Sequence, residues 1–266
     1  MYSQDELFAL FISGSIALFS WGRFLMQVIL IRPYRYQPVI RLPWYTSVIL
    51  SGVVLFYILN QWSSHDVRDS QQYTFFYFVL GAGWLGLGCY VLSYLSLCFR
   101  DDLLERNNAA SGWACGGALL GIMLCFAGGN VGDGPGWWVV IYCAVLATGT
   151  AALAWIILDA LTNAADNISI ERDVATGMRI GGFWIATGLI LGRAVAGNWV
   201  SYDAANKDFF LLGWPLLLLL TIATLVELPL RPGGAYEKTS VFLKGAVPAV
   251  AYVLGAVLYM VSLGKP

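Results

Sequence analysis

Eight long apolar segments are the feature of this sequence that most restricts its fold. A helix that crosses the hydrocarbon core of a bilayer needs about 20 predominantly apolar residues, and of the 266 residues here 59% are hydrophobic and 12% are charged. Segments long enough for a crossing run over approximately 7–31, 45–62, 74–99, 109–129, 136–162, 174–199, 208–230 and 239–263. The sequence therefore predicts an all-α polytopic membrane bundle of about eight transmembrane helices. Seven is the alternative, because the segment 45–62 is the shortest.

The distribution of Lys and Arg predicts how the bundle is oriented. Cytoplasmic loops of membrane proteins carry an excess of these residues. The connections after helices one, three, five and seven hold ten of them, and the opposite side holds only Arg68, Lys207 and Lys265. We therefore expect a multi-pass protein of the cell inner membrane (plasma membrane) with both termini extracytoplasmic. The ten are Arg32, Arg35, Arg41, Arg100, Arg106, Arg172, Arg179, Arg231, Lys238 and Lys244.

A constant spacing of glycines along the chain indicates an internal repeat. Gly52, Gly117 and Gly182 are evenly spaced, and in the last helix Gly245 follows Gly181 at almost the same interval. Because each interval contains two crossings, we predict four parallel-repeated helical hairpins. The predicted units are an N-terminal transmembrane hairpin over 1–73, a central four-helix membrane domain over 74–200 and a C-terminal transmembrane hairpin over 201–266.

Glycines four residues apart form faces on predicted helices four and six. Helices in lipid associate through close backbone contact, which glycine permits. We predict that these faces pack in the buried centre of the bundle, and the alternative is a substrate path lined by glycine backbone. Asn108 and Asp173 stand just before the two helices and are predicted to be their N-caps. The glycines are Gly112, Gly116, Gly117, Gly121, Gly177, Gly181, Gly182, Gly188 and Gly192.

Four ionisable residues lie in or at the ends of apolar segments, where charge is costly. Arg193 lies deep in helix six, Arg23 in helix one, Glu227 near the inner end of helix seven and Asp159 at the end of helix five. One hypothesis makes Arg193 the anchor for an anionic headgroup or substrate, with Glu227 or Asp159 as a counter-charge or proton acceptor. In the other, the arginine side chains extend to opposite interfaces and the acids face cytoplasmic water.

Residues that catalysis or metal binding requires are scarce. The single histidine, His65, stands in an external polar loop, and the five cysteines form no CxxC pair. The carboxylate pairs Asp101 with Asp102 and Glu171 with Asp173 are interpreted as solvated or helix-capping groups. We therefore predict no catalytic residue, no metal site and no cofactor.

Two motifs resemble the signatures of a known family. They are Arg-Asn-Asn-Ala-Ala at 106–110 with Gly-Gly-Ala-Leu-Leu-Gly at 116–121, and Asp-Asn-Ile-Ser-Ile-Glu-Arg-Asp-Val-Ala-Thr-Gly at 166–177. They resemble the YjfL-like inner-membrane family, domain of unknown function 350, over roughly 74–200. Its members typically show Asn-x-Ala-Ala at the entry to each helix; here Asn108 keeps the first Asn and Asp173 replaces the second. The resemblance implies a bacterial inner-membrane protein with no established reaction.

Three functions follow as hypotheses. The resemblance and the lack of catalytic clusters favour a non-enzymatic component of a membrane-stress or envelope-maintenance system. The alternative is a transporter, channel or lipid-translocating protein with Arg193 as anion or headgroup anchor, and the third is a membrane enzyme acting on a lipid headgroup. Membrane lipids are the expected partners, while a homo-oligomer and cytoplasmic or membrane-stress protein partners are left open. A net charge of −1 excludes nucleic acid.

Overall fold

The computed structural model describes residues 2–31, 38–232 and 240–264. In these ranges eight helices are long and apolar enough to cross a membrane, and no β-strand is present. The predicted all-α class and the count of eight are confirmed, whereas the side on which the termini lie and the division into three units stay predictions. Four of the basic residues used to predict the orientation lie outside the described residues: Arg32, Arg35, Lys238 and Lys265.

We number the long helices α1 to α8 in chain order. They are α1 (Gln4–Leu30), α2 (Leu42–Gln61), α3 (Gln71–Tyr94), α4 (Ala109–Gly128), α5 (Trp137–Thr162), α6 (Val174–Ala194), α7 (Tyr202–Gly213 and Pro215–Glu227) and α8 (a π-helical turn, Phe242–Ala246, and Val247–Leu263). Short helical segments at Pro38–Arg41, His65–Arg68, Phe99–Glu105 and Ala164–Ser169 lie between them.

Three helix ends differ from the predicted bounds for local reasons. Helix α3 stops at Tyr94 because Ser96 adopts a left-handed backbone with φ 61°, which few residues other than glycine favour. Helix α6 stops at Ala194, three residues before Gly197 with φ 144°. Helix α7 starts earlier than predicted, since the Ser201 hydroxyl accepts a hydrogen bond from the Ala204 amide and caps a more polar first turn.

Two prolines, Pro215 and Pro248, lie at the irregular points of α7 and α8. Pro215 begins the second segment of α7 directly after Trp214, whose backbone is helical with φ −53° and ψ −30°, so α7 continues through this interruption. Pro248 lies in the first turn of Val247–Leu263, next to the π-helical turn. Because the residues before both prolines have helical backbones, each proline removes a backbone donor from a helix that continues through it. Both irregular points belong to α7 and α8, the helix pair at one end of the bundle.

The even-numbered helices form one row through the centre of the bundle. Helix α4 packs between α2 and α6, and α8 packs on the other side of α6. Helices α3 and α5 cover α4, α5 and α7 cover α6, and α1 packs on α3. Neighbours in the row run parallel, because Gly117 lies against Gly181 and, further along, Gly128 lies against Gly192. Helices α4 and α6 are the most buried of the eight.

Glycine allows the backbones of α4 and α6 to touch. A Cβ atom on Gly117 would lie within 3.0 Å of Gly181 backbone atoms, and one on Gly121 would lie equally close to the carbonyl of Trp184. Real Cβ atoms essentially never approach so closely. These predicted packing faces therefore close on each other instead of surrounding a path.

The other predicted packing glycines also meet backbone. On one side of α4, a Cβ on Gly112 or Gly116 would collide with carbonyls at the start of α2, and on the far side of α6 a Cβ on Gly182 would collide with Ala249 of α8. Close backbone contacts therefore hold α4 against α2 and α6 against α8, in addition to the contact between α4 and α6. Gly177, Gly188 and Gly192 complete the seam between α4 and α6.

Equivalent positions of the predicted repeat share local geometry at the starts of α4 and α6. Asn107 and Arg172 both have left-handed backbones, with φ of 53° and 55°. The next residue in each case, Asn108 or Asp173, donates its amide hydrogen to a carbonyl six residues earlier at 3.0 Å. These similarities concern two helix entries only, and the four-hairpin repeat of the whole chain stays a prediction.

Candidate functional site

The first two turns of α6 carry a chain of polar groups. Asp173 is the N-cap residue, and its carboxylate accepts hydrogen bonds from the Thr176 amide at 2.9 Å and the Thr176 hydroxyl at 2.6 Å. A carboxylate at this position satisfies free amides and interacts well with the helix dipole. One turn further on, Arg179 donates from Nη2 to the Thr176 hydroxyl at 2.8 Å. The cap is thus linked to a buried arginine.

Arg179 forms a bidentate ion pair with Glu227 inside the bundle. Its Nε donates to Oε1 of Glu227 at 2.6 Å and its Nη2 donates to Oε2 at 2.7 Å. Both residues are fully buried. The third nitrogen, Nη1, donates to the Lys244 carbonyl in the π-helical turn of α8 at 2.6 Å. One guanidinium therefore joins α6, the end of α7 and the start of α8.

This arrangement neutralises both charges within the protein. Two parallel hydrogen bonds between guanidinium and carboxylate are the strongest geometry for such a pair. Both carboxylate oxygens of Glu227 are occupied by Arg179, so the geometry pairs Glu227 with Arg179 and not with Arg193. The hydroxyl of Tyr252 is buried near this pair and has no hydrogen-bond partner in the described part of the chain.

A groove of about 550 Å³ separates α7 from α8 beside the ion pair. Both helices pack on α6 and have few contacts with each other. Trp214 and Pro215 line the groove from α7, and Pro248 and Tyr252 line it from α8. The interruption of α7 at Pro215 and the first turn of Val247–Leu263 therefore face the same apolar space.

Arg193 lies at the other end of α6. It follows Arg179 by 14 residues, which is about 21 Å at 1.5 Å per residue. Its side chain is half-buried and lines an apolar groove of about 350 Å³ formed by the ends of α2, α4, α6 and α8. The Nε atom is buried with no hydrogen-bond partner, and no ion pair involving Arg193 occurs among the residues described.

Arg23 and Asp159 occupy two further places. Arg23 is exposed on α1, and its guanidinium lies 5.8 Å from the ring centroid of Tyr90, beside a cavity of about 250 Å³. Asp159 accepts a hydrogen bond from the Ala165 amide at 2.7 Å, which fixes the turn after α5. The four ionisable candidates thus lie in four separate environments. Asn108 caps α4 through a hydrogen bond from the Ala110 amide at 3.0 Å.

Sequence reasoning missed Arg179. The orientation count places it among the connection residues, but it lies in the second turn of α6 with no exposed surface. Two signals were available. Glu227 in an apolar helix requires a counter-charge, and Asp173, Thr176 and Arg179 follow one another at three-residue intervals, which places them on one helix face. Arg41 is likewise buried and donates to the carbonyls of Ile31 and Leu104.

The residue types used for metal binding and nucleophilic catalysis lie apart. Within the ranges that the structure describes, no three His, Cys, Asp or Glu residues come together as a metal site. His65 is exposed, 3.7 Å from Asp69. Cys98, between α3 and α4, is half-buried, and burial raises the pKa of its thiol. Raising this pKa lowers the thiolate fraction at neutral pH.

Eight apolar helices, four of them in a row and four packed against it, define a polytopic helical membrane protein. Residues 65–195 match the sequence model of the family described as Domain of Unknown Function (DUF350). This segment runs from the short helix before α3 through α6, and the match confirms the resemblance to domain of unknown function 350 seen in the sequence. No curated protein and no solved structure matches the chain.

Proposed function

We propose that the protein is a non-enzymatic component of a membrane-stress or envelope-maintenance system and acts as a rigid scaffold in the bacterial inner membrane. The observation that carries this proposal is the closed backbone seam between α4 and α6, where Gly117 lies against Gly181. This seam occupies the middle of the bundle, where a path for a substrate would otherwise run. A row of helices in backbone contact suits a platform better than a moving gate.

The buried polar groups support the same proposal. Asp173, Arg179 and Glu227 bond to one another directly or through Thr176. A catalytic acid or base needs a site that a substrate can reach. Groups engaged in this way instead hold α6, α7 and α8 together.

Partner binding is proposed for the basic end of the bundle. Exposed arginines lie there at Arg100, Arg106, Arg172 and Arg231. The link to membrane stress comes from the family resemblance, and basic loops are suited to acidic surfaces of cytoplasmic or membrane proteins. In-cell cross-linking should recover partners with the wild-type chain and fewer with Arg172→Glu. Arg68→Glu, at the opposite end, is the matched control.

Reconstitution tests the scaffold proposal directly. Purified protein in liposomes should give ion flux and labelled-lipid scrambling equal to protein-free liposomes. A flux or a lipid-modifying activity in the absence of any partner would contradict the proposal. Thermal unfolding checks that the reconstituted protein is folded. Gly117→Ala should have a lower unfolding midpoint than wild type, and Gly22→Ala should not.

A second candidate is a transporter, channel or lipid-translocating protein in which Arg193 anchors an anion or headgroup. The observation that favours it is the pair of interrupted helices, α7 at Pro215 and α8 next to Pro248, which line one groove at the other end of α6 from Arg193. Discontinuous helices and π-helical turns occur often at transport and ligand sites. Under this alternative, Arg193→Ala and Glu227→Gln should both reduce a liposome flux. A flux that neither variant changes would exclude these residues as its site.

A further inference from the structure

The groove around Arg193 is apolar everywhere except at one side chain. Ile58 and Trp62 line it from α2, Leu124 from α4, Leu189 from α6 and Val261 from α8. Its volume of about 350 Å³ is in the range of sites that hold small organic ligands. It lies between transmembrane helices, so the surroundings that supply its occupant are the acyl chains of the bilayer.

The guanidinium of Arg193 is a cation without a counter-ion in the described part of the chain. The other intramembrane arginine of α6, Arg179, has Glu227, whereas no carboxylate lies within ion-pair distance of Arg193 among the described residues. Arg193 is in the last turn of α6, next to the helix end at Ala194. Its side chain is therefore near the level of the lipid headgroups at this end of the bundle.

We propose that this groove binds one anionic phospholipid, with the phosphate on the Arg193 guanidinium and an acyl chain along the apolar lining. A planar guanidinium matches phosphate oxygens with two parallel hydrogen bonds. The leaflet is the one at the end of α6, which the positive-inside rule predicts to be extracytoplasmic. A bound lipid would also fill the space between the ends of α2 and α8. This inference does not depend on the scaffold proposal, because a scaffold needs no ligand.

Native mass spectrometry of the protein in mild detergent tests the proposal. The probes are phosphatidylglycerol and phosphatidylcholine with identical acyl chains. The wild-type protein should bind phosphatidylglycerol about 5-fold to 10-fold more tightly, because phosphatidylglycerol carries a net negative charge whereas the choline cation of phosphatidylcholine offsets its phosphate. Arg193→Gln should lose this preference and Arg193→Lys should keep part of it. Arg68→Gln, at the same end but outside the groove, should leave it unchanged.

Photo-cross-linking of the wild-type protein keeps the test independent of any folding defect. Phosphatidylglycerol with a photoreactive acyl chain should label Leu189 or Val261, and unlabelled phosphatidylglycerol should compete. Inorganic phosphate should compete poorly because it lacks the acyl chain. Phosphatidylcholine should compete poorly because its choline cation offsets the negative charge of its phosphate beside Arg193. Equal binding of the two lipids, an unchanged preference in Arg193→Gln, labels outside the groove or full competition by inorganic phosphate would each overturn the proposal.

Discussion

Arg179 and Glu227 are 48 residues apart in the sequence and share two hydrogen bonds, of 2.6 and 2.7 Å, inside the bundle. The same guanidinium donates to the Lys244 carbonyl. No other buried pair of opposite charges occurs within the described ranges. A single side chain on α6 is therefore hydrogen-bonded to both α7 and α8.

The first prediction concerns the loss of one member of this pair. Glu227→Gln removes the negative charge and leaves a buried guanidinium uncompensated. Breaking such a pair typically costs about 3–5 kcal/mol, and we expect a comparable loss in the free energy of unfolding, measured by denaturant titration in detergent. The exposed Glu171 provides the control, because Glu171→Gln should stay within about 0.5 kcal/mol of wild type.

The second prediction concerns the loss of both members. Replacing a buried ion pair with apolar side chains of similar volume is often neutral. The double variant Arg179→Met with Glu227→Leu should therefore recover most of the stability that Glu227→Gln loses. The contrary outcome is a double variant whose loss of stability equals the sum of the losses in Arg179→Met and Glu227→Leu. That result would contradict the idea that the unpaired charge is the main cost.

The third prediction tests the glycine seam. Gly117→Ala places a methyl group against the backbone of Gly181, and overpacking typically costs about 1–3 kcal/mol. Gly22→Ala is the matched control, since no atom lies within 4 Å of its new Cβ, and an alanine in a helix is slightly favourable. Thermal unfolding in detergent should show a lower midpoint for Gly117→Ala only. Equal effects of the two substitutions would argue against close packing of α4 on α6.

The fourth prediction tests the orientation. In a background without native cysteines, His65→Cys and Arg100→Cys place thiols at opposite ends of the bundle, where the original side chains are 80% and 51% exposed. A membrane-impermeant maleimide should label position 65 in intact spheroplasts. Position 100 should react only after permeabilisation. The reverse pattern would show that the positive-inside rule misplaces the termini.

The fifth prediction concerns pH and Asp102, in the turn between α3 and α4. Burial raises the pKa of this carboxyl above its usual value, although the Arg106 guanidinium opposes the shift. The folded state therefore favours the neutral acid. The neutral Asp102 carboxyl therefore contributes to stability at pH values below its pKa in the unfolded chain. This contribution is lost as the pH rises through its pKa in the folded protein.

Asp102→Asn should remove this pH-dependent loss of stability, because the asparagine side chain does not ionise. The unfolding midpoint of the variant relative to wild type should rise between about pH 4 and about pH 7, the interval above the usual Asp pKa. Thermal unfolding at both pH values measures the difference. A difference that stays constant or falls as pH rises would mean that Asp102 does not favour the neutral form.

Local properties of the chain were predictable from the sequence. Helix α4 was predicted over 109–129 and is observed at Ala109–Gly128, because length and hydropathy alone decide whether a segment can cross a bilayer. The N-cap positions of Asn108 and Asp173 follow from the residue type at a helix entry. The packing role of the glycine pairs follows from their spacing on one face.

Long-range pairing was not predictable in the same way. The contact of Arg179 with Glu227 arises only when α6 and α7 pack side by side, and nothing within either segment specifies that neighbour. The interruption of α7 at Pro215 and the π-helical turn before Pro248 also depend on how both helices fit against α6. Arg193 is the opposite case. Its place in an apolar segment is visible in the sequence, but the structure puts it in the last turn of α6, and its groove is built by four different helices.

The parallel row has an electrostatic consequence that is independent of titratable groups. Each helix carries about half a positive elementary charge at its N-terminus and half a negative one at its C-terminus. The amino ends of α2, α4, α6 and α8 lie side by side at one end of the bundle, and the carboxyl ends of the helices that cover α4 and α6 lie beside them. The bundle therefore presents a row of positive helix ends next to negative helix ends on that side, and the inverse pattern on the other, so that the net dipole of the bundle stays small.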